Sequence, residues 1–206
     1  MYTAKAHNPA LAAALIAVAT AFIAATTLFA KALGTDQFGA ALHPFQLSFG
    51  RFLFAFLALG TAAALFRPAF QRPHIGLHLA RTLSGWAGVT LMFASVAYIP
   101  LADATAISFL NPVFGMILAI PLLGEKVGKW RWLAAAIAFV GAMILLRPTP
   151  ASFQPAALLA LGAALVMGFE INIIKKLTGR EGPFSILVIN NALGFFISGL
   201  AVIWVW

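Results

Sequence analysis

The chain contains no cysteine, which removes disulfides, thiol nucleophiles and cysteine-held metal from consideration. Charge is scarce as well: Asp, Glu, Lys and Arg make up 9% of the 206 residues, against about 25% in an ordinary soluble protein. A soluble fold built this way would have almost nothing polar to show water. Catalytic signatures are missing too: there is no His-Glu-x-x-His metal motif, no Gly-x-Ser-x-Gly elbow and no phosphate-cradling glycine loop. No enzyme activity, cofactor or bound metal is therefore expected. His74 and His78 stand four residues apart beside Pro73 and share a helix face if the segment is helical. No carboxylate is near them in sequence, and they read as an interfacial pair.

What fills the chain is apolar sequence. Hydrophobic residues reach 63%, against about 45–50% in soluble proteins. They fall into seven long runs. Six are uncharged, at 9–30, 82–102, 104–124, 132–146, 151–169 and 182–206, and the seventh, 42–66, is interrupted by Arg51 alone. About 20 apolar residues in a helix cross the roughly 30 Å hydrocarbon core, and most of these runs have that length. The short fifth run is extended towards the interface by Trp130 and the long side chain of Arg131. The fold expected is an all-α, polytopic transmembrane helix bundle of seven spans. The first run is too long for the apolar core of a signal peptide and has no small-residue cleavage site after it, so it reads as a span.

The net charge of +8 would point to nucleic acid in a soluble protein, but here its distribution speaks of topology and no nucleic-acid partner is expected. With the N-terminus inside, the inner segments hold Lys5; Arg67, Arg72 and Arg81; Lys126, Lys129 and Arg131; and Lys175, Lys176 and Arg180. The outer side holds Lys31 and Arg147 alone. Such a bias in short loops orients a bundle with a cytoplasmic N-terminus, and the inner charges are placed to touch anionic lipid headgroups. Membrane lipids are therefore expected partners.

The loops are short and rich in turn formers. Residues 34–43 link spans one and two, 67–79 run along the inner interface, Ile99-Pro100-Leu101 makes a tight turn, and 124–129, 147–150 and 178–183 join the later spans. An internal repeat underlies the order. The segment 13–33 resembles 157–177 at a spacing of 144 residues, and Pro44-Phe45 opens span two as Pro183-Phe184 opens span seven at a spacing of 139. Five spans separate the copies, and an odd number inverts the second copy in the membrane. The expected division is a complete five-helix repeat in residues 1–150 and two helices of an inverted second repeat in 151–206. Inverted repeats of this kind place solute sites near the midplane between halves.

The residues Tyr98, Ile99, Pro100, Leu101, Ala102, Asp103, Ala104, Thr105, Ala106 and Ile107 are followed by Asn111-Pro112, Gly124-Glu125-Lys126, Trp130 and Gly141. This run resembles the EamA branch of the drug/metabolite transporter superfamily, with Arg51 also fitting its pattern. The resemblance implies ten helices in two five-helix repeats and secondary transport of a small-molecule solute across the bacterial inner membrane by alternating access. By that measure the chain reads as truncated at its C-terminal end. The alternative is a non-transporting membrane protein or partner subunit that needs another chain to complete the bundle. A half-complete bundle exposes surface that favours self-association, so a homodimer is a further expectation.

Candidate pathway residues follow from the cost of polar groups in lipid. A charge at the bilayer centre costs about 2.5–3.5 kcal/mol on insertion scales, which singles out Glu170 and Arg51. Glu170 is a candidate proton-coupling or amine-binding site, or else an interfacial partner of Lys175 or Lys176. Arg51 either attracts an anionic group or binds helix carbonyls. Pro112 removes a backbone donor and kinks span four, and Asn111 beside it satisfies the freed carbonyl or presents its amide to a cavity. Asn190, level with Arg51 in the Pro-Phe register, and Tyr98 complete the set. Small residues at four-residue spacing, Ala80-Ser84-Gly88 and Ala134-Ala138-Ala142, mark close helix packing. Asp103 suits a helix N-terminus, and Glu125 is expected to pair with Lys126 or Lys129 or to cap span five.

Overall fold

The computed structural model describes residues 9–67, 73–146 and 154–206. Lys5, Arg72 and the 147–150 turn, all used above to assign topology, lie outside the described residues. Among the described residues every regular element is a helix: α1 Pro9–Leu33, α2 Pro44–Phe66, α3 Ile75–Tyr98, α4 Leu101–Ser108, α5 Asn111–Leu123, α6 Lys129–Leu146, α7 Ala157–Thr178 and α8 Pro183–Val202. With α4 and α5 taken as one broken rod, these correspond to the seven apolar runs. Five rods are long and apolar enough to cross a membrane: α1, α2, α4–α5, α7 and α8. The other two differ for visible reasons. Helix α6 has 18 residues and starts with Lys129 and Arg131, and α3 carries Arg81 and a series of buried hydroxyls. The fold is a polytopic helical bundle.

Local sequence sets the helix ends. His43 caps α2: its Nδ1 accepts from Phe45 N at 3.2 Å while Gln46 Oε1 accepts from His43 N at 2.9 Å, a reciprocal box that satisfies two otherwise orphaned donors. Pro44, Pro112 and Pro183 each stand at the start of a helix, where the missing N–H is not needed. Helix α5 ends at Gly124 with φ +67°, the left-handed cap that glycine adopts freely. The expected kink of span four is a break: Phe109 and Leu110 form a turn between α4 and α5, with Pro112 just beyond it. Helix α3 starts at Ile75, so residues 75–79 of the segment expected to lie along the interface are already helical.

Helices α3 and α7 form the spine, with α5, α4 and α8 packed round them and α2 laid along α8. Lipid provides no hydrophobic drive between helices, so close packing depends on small residues. Gly168 of α7 lies against the backbone of α5, where an added Cβ would stand 2.7 Å from Gly115 N. Asn172 fastens the same crossing by donating to Gly115 O at 2.9 Å, and it also bonds Gly168 O of its own helix at 3.0 Å. Ser84 and Gly88 are both buried, and Gly88 lies against Met167 and Ala163 of α7. Ala134 and Ala138 of α6 are exposed and line a groove, since α6 touches the bundle chiefly through α4.

Helix α1 stands apart. Ala30 is its one buried residue, and its contacts run to α3. Lys31 donates from Nζ to Val96 O at 2.9 Å and Ile99 O at 3.0 Å, closing the exposed carbonyls at the end of α3. The end of the bundle opposite Lys31 gathers Arg67, Lys126, Lys129, Arg131, Lys175, Lys176 and Arg180 around the termini of α2, α5, α6, α7 and α8.

Candidate functional site

Glu170 lies in α7 eight residues before Thr178, about 12 Å of helix from that end. Its carboxylate faces α3, where Gly85 leaves room for it: a Cβ there would stand 2.9 Å from Oε1. One turn along α3, Arg81 Nε approaches Oε1 at 3.9 Å. Arg51 of α2 reaches the same charges, interacting electrostatically with both Glu170 and Arg81. Its guanidinium lies 5.1 Å from the centre of the Phe52 ring, a cation–π contact. Arg51 is exposed and Arg81 is 8% exposed, so the group runs from the surface into the packed interior. Glu170 therefore does not pair with Lys175 or Lys176. Lys175 hydrogen-bonds Glu125 instead, and Arg131 Nη1 stands 3.7 Å from the other oxygen. That Lys175 bond is the main cause holding the Glu125 carboxyl below its usual range, and the expected pairing with Lys126 or Lys129 is replaced by one with Lys175 and Arg131.

Asn190 of α8 joins from the other side of α3, its Oδ1 accepting from Thr82 Oγ1 at 3.2 Å. Trp86, one turn beyond Thr82, packs against Phe45 of α2 with centroids 5.7 Å apart. The remaining candidates lie elsewhere. Pro112 lines an open groove of about 470 Å³ between α5, α6 and α7, together with Asn172 and the Glu125–Lys175 pair. Asn111 is half-buried at the α4–α5 break, with its carbonyl against Gly168. Tyr98 is 72% exposed at the end of α3, away from the charged group.

Arg81 was assigned to topology by the sequence, and burial is the correction: it flanks an apolar run like any loop cation, and only the α3–α7 contact distinguishes it. The histidine pair also needs correcting. Glu181, 103 residues from His78, sits between the two rings. Its Oε1 accepts from the backbone N–H of His74 at 2.9 Å and lies 3.0 Å from His74 Nδ1, and Oε2 lies 2.8 Å from His78 Nε2. A carboxylate only accepts, so Nε2 of His78 carries the proton in this pair. Both His78 and the Glu181 side chain are buried, at 0% and 2% exposure. Burial alone would raise the Glu181 carboxyl, but the donors from His74 and His78 outweigh it and hold the group below the usual carboxylate range. The tie joins the start of α3 to the α7–α8 turn.

A bundle of apolar helices with a guanidinium–carboxylate group set among them is the build of a multi-pass membrane protein. Residues 10–147 match the EamA-like transporter family, and the chain belongs to that family, within the drug/metabolite transporter superfamily. It is 37% identical to a riboflavin transporter of Rhizobium johnstonii, over 68% of this chain and 47% of that protein. It is 29% identical to an S-adenosylmethionine uptake transporter of Rickettsia prowazekii, over 72% of this chain and 51% of that protein. A riboflavin transporter of Vibrio cholerae is 33% identical over 59% of this chain and 41% of its own length. The chain spans about half the length of these curated relatives. No solved structure matches it.

Proposed function

We propose that this protein is a secondary transporter of a small metabolite or drug-like solute, working by alternating access in the bacterial inner membrane with its N-terminus in the cytoplasm. The observation that carries the reading is the Arg51–Arg81–Glu170 group, built from α2, α3 and α7 in a chain of a transporter family. Charged groups inside a bundle are costly and mark solute or ion pathways by default. The division into a repeat over 1–150 and the start of an inverted second repeat over 151–206 is part of this reading. It draws support from the α2–α8 packing, in which helices that correspond in the Pro-Phe register lie side by side. The relatives' names make riboflavin and S-adenosylmethionine the first solutes to try.

The test is flux into liposomes carrying the purified 206-residue chain, with each solute supplied as tracer. Saturable uptake that exceeds empty liposomes and is lost in Arg51→Gln and Glu170→Gln supports the proposal. Folded protein that moves neither solute counts against it.

A second reading has its own observation. Helix α7 is wrapped by α3, α4, α5 and α8, whereas α1, its counterpart in the repeat, meets α3 and is otherwise open. In this reading another chain, a second copy included, completes the bundle before any solute moves. Flux that appears only on co-reconstitution with a partner, or only in a cross-linked dimer, favours it.

A further inference from the structure

We propose, resting on the transport reading, that the Arg51–Arg81–Glu170 group receives one carboxylate of the solute, so that the preferred solute class is an organic acid or zwitterion bearing a single free carboxylate at this site. Charge comes first. Arg81 stands beside Glu170 and the Arg51 charge interacts with both, so an additional single negative charge neutralises the group. Geometry comes second. Arg81 is 8% exposed, yet its Nε and Nη1 have no hydrogen-bond partner among the described residues, and Glu170 Oε1 stands 3.9 Å from Nε, outside hydrogen-bonding distance. Buried donors are almost always paired, and an orphaned one calls for a partner that arrives. A guanidinium presents its donors as a planar fork that matches a carboxylate in two parallel bonds.

Access comes third. Arg51 is exposed while Arg81 is buried, so an incoming anion meets one guanidinium at the surface and the second further in. Trp86 adds another unpartnered buried donor at Nε1, on the same helix about 7.5 Å beyond Arg81 and against Phe45. Glu170 keeps its place because Gly85 has no Cβ to displace it. The carboxylate thus partly neutralises the two guanidiniums while leaving Arg81 donors free.

The test uses the purified 206-residue chain in detergent with two matched probe pairs, benzoate against benzamide and acetate against acetamide. Binding is read by Trp fluorescence and by melting temperature. The carboxylate of each pair is expected to bind at least about tenfold more tightly than its amide, a ratio equivalent to 1.4 kcal/mol. Arg81→Gln is expected to bring the ratio near one, and Arg81→Lys to leave it intermediate. Glu170→Gln is the decisive variant, because it removes the competing negative charge. Carboxylate binding then tightens if the group is an anion site, whereas a merely structural ion pair gives weaker binding or a lower melting temperature with no gain. Equal binding of acids and amides, no binding by either acid, or weakened acid binding in Glu170→Gln overturns the proposal. These results leave the liposome flux test untouched, so a failure here and a failure of the transport reading are distinguishable.

Discussion

Phe56 of α2 and Phe195 of α8 stack with their centroids 5.1 Å apart and their planes 9° from parallel. The two are 139 residues apart, the spacing that separates Pro44-Phe45 from Pro183-Phe184. On the repeat proposed above they would occupy corresponding positions, meeting face to face. Beside them Phe52 lies over Gly194, where an added Cβ would come within 2.2 Å of the ring.

Gly194→Ala should therefore separate α2 from α8. Phe52 is 1% exposed and has little room to turn away, so overpacking of about 1–3 kcal/mol is expected. A lower melting temperature in detergent checks this, and Phe52→Leu in the Gly194→Ala background should recover part of the loss.

The crossing of α5 and α7 should be as intolerant. Gly168→Ala drives a methyl into the backbone of Gly115 and the carbonyl of Asn111, and backbone cannot step aside as a side chain does. Asn172→Leu removes the amide bond to Gly115 O across the same contact and the one to Gly168 O within α7, for a cost of about 0.6–2 kcal/mol in a membrane setting. Unfolding titrations of both variants should place Gly168→Ala as the more damaging.

The Glu181 tie predicts a pH dependence with a definite sign. A carboxyl held below its ordinary value stabilises the folded state above the unfolded value, about 4.3 for Glu, and loses that contribution as pH falls through the folded value. Stability measured from pH 7 downwards should therefore fall off in the acid range, beginning near the ordinary carboxylate value. Glu181→Gln should flatten that part of the profile and cost about 1.5–3 kcal/mol at neutral pH, the scale for hydrogen bonds to a charged group.

Lys31→Met should free α1 from α3 without unfolding the bundle, because the bonds lost are those to Val96 O and Ile99 O. Faster amide exchange in the last turns of α1 and α3, with the α7 pattern unchanged, is the expected result.

The bundle could be read in the sequence because helices in lipid leave a one-dimensional signal: long uncharged runs, prolines at helix starts and turns between them. Arg51 and Asn190 were legible for the same reason, as polar groups inside such runs, and Glu170 as a lone carboxylate between one run and the end of its helix. Arg81 was not, since it lies at the edge of its run among other cations. Glu181 was hidden more deeply. It stands in a Gly-Arg-Glu-Gly turn that reads as solvated surface, and its partners are more than a hundred residues away. A carboxylate at a turn reveals its role only when another helix brings donors to it.

The openness of α1 has a consequence for how the protein comes into being. Apolar side chains against lipid tails are as comfortable as against a neighbouring helix, and a helix already satisfies its own backbone. Helix α1 can thus enter the bilayer as a separate rod and drift there, waiting for a neighbour. Its two hydrogen bonds to α3 act as a mooring line at one end. The rest of its surface is left to meet whichever helix comes alongside, so insertion and assembly are separate events for this chain.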